Sequence, residues 1–164
     1  MSIQLTLVLF LAYLQIAKYN MQKKSVSYDY VSFIVDLLEQ RVRGNYDLIV
    51  GVGRGGLIPA TMLAYKLKKK VISFGISTYN DTIQTDKYVI YQPITIPTAP
   101  SKILVVDDIC DTGNTFNIIK ELYKKQDHIV FEFASLFVKD SSAHLVDYYG
   151  LSVSDGVWLD FPWE

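Results

Sequence analysis

The sequence contains few residues of the kinds that build disulfide frameworks or zinc sites. Among its 164 residues there is one cysteine, Cys110, and there are two histidines, His128 and His144. A single cysteine excludes an internal disulfide and a zinc cluster built on cysteines. The net charge is −1, so there is no excess of basic residues that would indicate binding to nucleic acid or to an anionic membrane surface.

Long apolar runs are also missing, apart from the segment Ile3 to Ala17, which polar residues interrupt. This segment is shorter than the roughly 20 apolar residues of a membrane-spanning helix, and it lacks the basic start and small-residue cleavage site of a signal peptide. We expect residues 1–20 to be an extension outside a cytoplasmic domain of residues 21–164, with Met21 as an alternative start. A helix that binds a membrane or a partner weakly is the competing hypothesis.

What the chain does contain is typical of one globular domain with a substantial core, because half of its residues are hydrophobic and a fifth are charged. Ser27 is a candidate cap for a helix that ends near Gly44. Apolar runs that favour strands alternate with helical patterns, and this alternation predicts an α/β fold with a doubly wound, mostly parallel five-stranded sheet and flanking helices. The expected strands are 48–52, 71–77, 103–106, 129–138 and a last one within 156–164, and residues 88–91 are a candidate for a further short strand. The polar segment 78–87 is predicted to be a small hood or lid.

The most informative stretch runs from Ile103 to Thr115. A buried strand leads to the carboxylates of Asp107 and Asp108, at the edge where open α/β sheets bind their ligands. The turn of residues 111–115 then opens a helix, where free backbone N–H groups, Gly113 and two threonine hydroxyls form an anion site. Adjacent carboxylates suit the vicinal hydroxyls of a sugar, so the stretch predicts a site for a ribose phosphate.

Two simpler interpretations of this stretch stay open. The turn can be an ordinary strand-to-helix connection in which Asp111 or Thr112 only caps the helix. Cys110, which lies inside the acidic motif, is interpreted as a structural, half-buried thiol rather than a nucleophile, because no histidine close to it in the sequence could activate it.

The string Asp-Asp-x-x-Asp-Thr-Gly-x-Thr closely resembles the signature of the type I phosphoribosyltransferases. From about Val26 to Glu164 the chain is most similar to the bacterial xanthine-guanine (6-oxopurine) members of that family. Besides the signature, the Gly-Arg-Gly-Gly-Leu-Ile-Pro loop, the Ser77-Thr78-Tyr79 loop, Phe137-Val138-Lys139 and the block from Val157 to Trp163 carry the resemblance.

The resemblance implies an enzyme that transfers a phosphoribosyl group from phosphoribosyl pyrophosphate to N9 of xanthine, guanine or hypoxanthine, with Mg²⁺. Asp108 would contact the metal, and Asp111 would face the purine N7 as general acid/base. In the family the pyrophosphate loop often holds a cis peptide bond, for which Gly53–Arg54 is the candidate. The residues implied to bind phosphoribosyl pyrophosphate are Arg54, Gly55, Asp107, Asp108, Asp111, Thr112, Gly113, Asn114 and Thr115.

For the purine, the resemblance implies that Lys139 donates to the exocyclic O6 and that Trp158 stacks on the ring. Asp111 and the backbone of Leu159 would complete the base site. Taken singly, Lys139 can be a surface lysine at a strand end and Trp158 a core residue, just as the loop 53–56 can be a plain turn with a surface arginine.

The chain departs from the pattern at Thr85, where the bacterial enzymes carry an arginine that reaches the pyrophosphate, and at Asn114. The resemblance implies a homo-oligomer, a dimer or a tetramer, and membrane contact only through residues 1–20. The alternative function is a non-catalytic regulator that senses phosphoribosyl pyrophosphate and binds nucleic acid, against which the near-neutral charge counts. A pyrimidine or orotate enzyme is a third hypothesis, which would not need Lys139 and Trp158.

Overall fold

The computed structural model of the chain describes residues 22–78, 88–95, 97–99 and 101–164. The expected extension 1–20 lies outside these residues, and so do residues 79–87 of the expected lid, including Thr85. None of the helices in the described ranges is long and apolar enough to cross a membrane.

A central strand, buried on both faces, organises the main sheet. Leu104 and Val106 point into one hydrophobic cluster, whereas Ile103 and Val105 point into a second cluster on the opposite face. A continuous apolar run of this kind is what a strand covered by helices on both sides requires. The strands, in chain order, are β1 (Gln22–Ser25), β2 (Leu48–Val52), β3 (Lys70–Thr78), β4 (Tyr88–Gln92), β5 (Ser101–Cys110), β6 (Ile129–Lys139), β7 (Tyr148–Val153) and β8 (Val157–Asp160).

Six of these strands form the main sheet in the order β4-β3-β2-β5-β6-β7. The pairs from β3 to β7 are parallel, and β4 runs antiparallel to β3 at one edge. Since β2 and β5 are adjacent and parallel, the loops that follow them emerge side by side at the carboxyl edge of the sheet.

Helices cover both faces, as the sequence predicts. They are α1 (Tyr28–Arg41), α2 (Leu57–Leu67) and α3 (Asn114–Tyr123), followed by a 3₁₀ helix (Asp140–Leu145). Ser27 caps α1 by accepting a 3.2 Å hydrogen bond from the Tyr30 N–H. Apolar residues of α1 and α2 belong to the cluster that contains Leu104, whereas Phe116 and Ile119 of α3 belong to the other. The expected doubly wound α/β architecture is therefore confirmed.

The expected number and identity of the strands are wrong in two respects. The main sheet has six strands rather than five, and its fifth parallel member is β7, which the sequence did not reveal. A strand does form within 156–164, but β8 pairs in parallel with β1 in a separate two-stranded sheet. The sequence of β7 includes Gly150, which weakens a strand signal. Gly150 lets α1 pack closely against β7, because a Cβ at this position would overlap Ile34 of α1.

Candidate active site

The glycine-rich loop after β2 and the acidic end of β5 touch each other. The pairing of Gly51 with Val106 places them at the same edge of the sheet. A Cβ on Gly55 would overlap Oδ2 of Asp108, and one on Gly56 would lie 2.5 Å from the carbonyl oxygen of Val106. Only glycines let the loop approach this closely.

Arg54, which the resemblance predicts to bind pyrophosphate, lies in the same loop next to Gly55. Its side chain is exposed. Gly53 adopts a left-handed backbone conformation with φ of 55°. All peptide bonds in the described ranges are trans, so the expected cis bond between Gly53 and Arg54 is wrong for this structure. The left-handed glycine, rather than a cis bond, turns the chain here.

The two adjacent carboxylates are held by defined donors. Asp107 Oδ1 accepts a 2.9 Å hydrogen bond from the Asp108 N–H, and Asp108 Oδ1 accepts one of 2.7 Å from the Ile109 N–H. The other oxygen of Asp108 accepts a 3.3 Å hydrogen bond from the indole Nε1 of Trp163. Sequence patterns did not predict this last contact, because its partners are far apart in the chain.

Burial sets the electrostatics of this carboxylate pair. It raises the pKa of Asp107 well above the usual range, and the neighbouring charge of Asp108 raises that pKa further. Burial also raises the pKa of Asp108, against the lowering effect of the hydrogen bond from Trp163. Because burial makes negative charge unfavourable here, binding a cation or hydroxyl donors would stabilise the two carboxylates.

The turn between β5 and α3 forms a cleft of about 90 Å³. Gly113 is the residue that precedes α3, with a left-handed φ of 76° and no side-chain cap of its own. The carboxylate of Asp111 accepts no hydrogen bond from α3 among the described residues, whereas the Thr112 hydroxyl accepts a long one, of 3.4 Å, from the Asn114 N–H at the start of the helix. Capping by Thr112 is therefore partly borne out, and N–H groups further along the first turn of α3 remain for a ligand. The cleft is lined by Asp107, Ile109, Asp111, Thr112, Gly113, Asn114, Thr115 and Phe116.

The 3₁₀ helix supports this turn from behind, which the sequence did not indicate. The Ser142 hydroxyl, buried in the fold, donates to the backbone carbonyl of Asp111. A Cβ on Gly113 would overlap Leu145, so glycine is needed both for its φ and for this close contact. The carboxylate of Asp111 remains exposed at the mouth of the cleft.

Lys139, at the end of β6, is only 5% exposed. Its ammonium donates to the carbonyl oxygens of Ser154 at 3.4 Å and Asp155 at 3.2 Å, and also to that of Val157. A surface lysine is thus excluded as an interpretation. The lysine instead fixes the turn that leads into β8.

The predicted base-binding residues Trp158 and Leu159 lie in β8, directly after that turn. Trp158 is 48% exposed and Leu159 is 7% exposed, so the tryptophan is not a core residue. A second anchor, not foreseen from the sequence, joins the turn to the 3₁₀ helix. The Asp155 carboxylate accepts hydrogen bonds from the Ser141 hydroxyl at 2.8 Å and from the Ser141 N–H at 3.3 Å.

Ser135 of β6 is a further residue that sequence reasoning missed. It pairs in register with Asp107 on β5 and is fully buried. Its hydroxyl has no hydrogen-bond partner among the described residues. A buried, unsatisfied hydroxyl beside an acidic group is unusual, and it leaves one donor available next to the carboxylate pair.

Cys110 is 3% exposed and so more buried than the half-buried thiol expected from the sequence, and burial of this kind is typical of a structural thiol. Burial raises its pKa to about 11, and the charges of Asp107 and Asp111 add to the rise. The thiol therefore stays protonated at pH 8, and we expect iodoacetamide to label it at least tenfold more slowly than in urea-unfolded protein, where the pKa is about 8.5. Mass spectrometry reads this directly, since the chain has one cysteine. Equal labelling rates in the folded and unfolded protein would contradict the buried placement.

Comparison with known proteins gives consistent matches. A family model described as "Phosphoribosyl transferase domain" matches residues 11–164. The xanthine-guanine phosphoribosyltransferase of Idiomarina loihiensis is 32% identical over 120 residues, which cover 73% of this chain and 71% of that relative. The crystal structure of a purine phosphoribosyltransferase from Pyrococcus horikoshii Ot3 superposes with a TM-score of 0.76 and 31% identity, covering 88% of this chain and 95% of the other. For the Helicobacter pylori xanthine-guanine-hypoxanthine phosphoribosyltransferase, the TM-score is 0.73 and the identity 29%, over 87% and 94% of the two chains.

Proposed function

The chain belongs to the phosphoribosyl transferase domain family, and from that premise we propose that it is a purine salvage enzyme. The reaction transfers the 5-phosphoribosyl group of phosphoribosyl pyrophosphate to N9 of a 6-oxopurine and releases pyrophosphate. Xanthine, guanine and hypoxanthine are the candidate bases. The Idiomarina relative is a xanthine-guanine phosphoribosyltransferase and the Helicobacter one a xanthine-guanine-hypoxanthine phosphoribosyltransferase, which supports this class of substrate.

The observation that carries the proposal is the cleft beside the carboxylate pair. Asp107 lines the same cleft as the turn 111–115, so a sugar hydroxyl and a phosphate on one ligand can be bound together. In this proposal the N–H groups at the start of α3 and the hydroxyls of Thr112 and Thr115 hold the 5′-phosphate. Asp107 and Asp108 accept hydrogen bonds from the ribose hydroxyls.

The leaving group lies on the other side of Asp108. Gly55 contacts that carboxylate, so the loop after β2 borders the ribose site. Backbone N–H groups of the loop and the exposed guanidinium of Arg54 are suited to the pyrophosphate.

The residues present fit Mg²⁺ when the substrate supplies some of its ligands. The described part of the chain has no cluster of three or more His, Cys, Asp or Glu side chains that could hold a metal alone. Mg²⁺ is commonly bound by one or two carboxylates together with substrate phosphates and waters, and Asp108, with Asp107 beside it, offers this donor set. When bound, the ion neutralises charge on the departing pyrophosphate.

For the base, the exposed face of Trp158 offers a flat apolar surface on which a purine can stack. Lys139 would donate to O6, and this requires it to give up one of its three carbonyl partners, because an ammonium has three N–H donors. Backbone groups of Leu159 would read the 2-position, and Asp111 would hold the proton at N7.

The chemistry then follows from these positions. Breaking the bond between ribose C1 and pyrophosphate develops positive charge on the sugar, as in glycoside cleavage. Asp107 and Asp108 stabilise that charge through their position near the ring. Asp111 manages the proton as the purine attacks through N9.

A panel of free bases, each assayed with phosphoribosyl pyrophosphate and Mg²⁺, tests the proposed function. We expect nucleotide formation with at least one of xanthine, guanine and hypoxanthine, and little with adenine, uracil or orotate. Turnover confined to orotate or uracil would contradict it. Binding of phosphoribosyl pyrophosphate without turnover of any base would favour a non-catalytic sensor instead.

Lys139→Met is expected to reduce the preference for guanine over adenine about tenfold or more, since a site built to hydrogen-bond a substrate group discriminates strongly against analogues that lack it. The ratio of kcat/KM values for the two bases measures this. The substitution also leaves three carbonyls without a donor, so a lower Tm is expected. Ser141→Ala is the matched control, because it loosens the same turn through Asp155 without removing the ammonium. An unchanged guanine preference in Lys139→Met would mean that O6 is recognised elsewhere.

A further inference from the structure

The last four residues of the chain fold back onto the carboxyl edge of the main sheet. After β8, the Glu164 N–H donates to the Phe161 carbonyl at 3.1 Å, which closes a turn around Trp163. This turn brings the Trp163 indole to Asp108, from which it is 55 residues away in sequence. The contact thus joins the end of the chain to the acidic signature.

The ring of Trp163 is fixed by aromatic neighbours. It stacks on Phe161 with ring centroids 5.0 Å apart and an interplanar angle of 13°, and Phe161 in turn meets Phe137 edge-on at 5.8 Å. The ring centroid of Tyr28 in α1 lies 6.3 Å from that of Trp163, at an interplanar angle of 54°. Because these contacts set the plane of the indole, its N–H has a defined direction.

Asp108 is held at both of its oxygens. Oδ1 accepts from the Ile109 N–H, and Oδ2 accepts from Trp163 and lies against Gly55. A carboxylate has about four lone-pair positions, so roughly two remain for a ligand. Among the described residues, Trp163 is the one side chain that donates to this carboxylate from outside the signature.

We propose that Trp163 is a positioning residue that orients the Asp108 carboxylate for Mg²⁺ and the ribose hydroxyls. Two properties of the indole suit this role. It donates a hydrogen bond but accepts none, so it cannot compete for the metal. It is also neutral, so it fixes the carboxylate without cancelling the charge that attracts a cation, as an arginine or lysine at the same place would do.

The inference rests on the proposed function, and the experiment separates the two. The dissociation constant of phosphoribosyl pyrophosphate is measured by isothermal titration calorimetry at several Mg²⁺ concentrations. For Trp163→Phe, which keeps a stacked ring but has no N–H, we expect affinity to fall about tenfold at low Mg²⁺. Saturating Mg²⁺ and substrate should restore kcat to within about threefold, so that the loss appears in binding rather than in turnover.

A double-mutant cycle distinguishes positioning of Asp108 from a general role of Trp163 in packing residues 161–164. In the Asp108→Asn background, Trp163→Phe should cause no further loss of affinity, because the group it acts through is already altered. Tyr28→Leu is the control, since it removes an aromatic neighbour of Trp163 but no donor to Asp108, and its affinity should stay within about twofold of the wild type. Additive losses in the cycle, or equal losses in Trp163→Phe and Tyr28→Leu, would overturn the inference.

If Trp163→Phe loses stability, benzothienylalanine introduced at position 163 keeps the bicyclic ring and removes only the N–H. Affinity equal to the wild type in that protein would also overturn the inference. A wild-type protein that binds no phosphoribosyl pyrophosphate at any Mg²⁺ concentration would instead reject the proposed function itself.

Discussion

Asp111→Asn is expected to lower kcat by roughly 10²- to 10⁴-fold, the range that proton transfer by a positioned side chain contributes. The carboxylate is exposed at the mouth of the cleft, while the backbone carbonyl of the same residue is fixed by Ser142. Asparagine has the same shape and leaves the turn in place, yet it cannot take up a proton at neutral pH. The affinity for phosphoribosyl pyrophosphate should therefore change little.

Single-turnover kinetics and calorimetry separate these two effects. Asp127→Asn makes the same chemical change at an exposed residue in the loop after α3 and should leave kcat within about twofold. A normal kcat in Asp111→Asn would remove this residue from the chemistry. If affinity for phosphoribosyl pyrophosphate fell as much as turnover, the role of Asp111 would be to bind substrate in the turn 111–115 rather than to transfer a proton.

Substitution of the two neighbouring glycines by alanine is expected to give opposite outcomes. In Gly55→Ala the new Cβ meets the end of a side chain, the Asp108 carboxylate, which can turn away. The fold should survive, but Asp108 would lose the orientation set by Trp163 and Ile109. We expect phosphoribosyl pyrophosphate to bind at least tenfold more weakly, with Tm changed by only a few degrees.

In Gly56→Ala the new Cβ meets only backbone, at 2.5 Å from the Val106 oxygen, 2.7 Å from the Val52 oxygen and 2.8 Å from the Asp107 Cα. Backbone in the middle of the sheet cannot move aside, so we expect a loss of about 1–3 kcal/mol or more in the free energy of unfolding. Chemical denaturation measures this directly. Gly156→Ala is the control, since no atom lies within 4 Å of a Cβ at that position. A stable Gly56→Ala protein, or a Gly55→Ala protein of normal affinity, would show that the loop and the acidic strand are less closely packed than described.

Much of the fold could be predicted from the sequence because the relevant signals are local. The apolar run of β5 and the Ser27 cap of α1 depend on residues close together in the chain, and both predictions are confirmed. The membership in the phosphoribosyl transferase domain family is confirmed as well. The roles given to Arg54, Lys139 and Trp158 stay predictions.

Two wrong predictions concern the partner of the last strand and the backbone at Gly53. The sequence pattern places the strand near the carboxyl terminus in the main sheet, yet β8 pairs with β1 across more than a hundred residues of sequence. The hydrophobic pattern of a strand shows which of its faces is buried, and it does not show which distant segment pairs with it. Likewise, the expected cis bond between Gly53 and Arg54 rests on the family resemblance alone, whereas the backbone here turns through a left-handed glycine.

The sequence by itself determined where the candidate site lies, because a buried strand that ends in two carboxylates and a glycine-containing turn is a contiguous pattern. Only the tertiary structure decided how those groups are held. Trp163 on Asp108, Ser142 on the Asp111 carbonyl and Lys139 on the turn before β8 are hydrogen bonds between separate elements. Such contacts exist only once the packed core has brought distant segments within about 3 Å of one another.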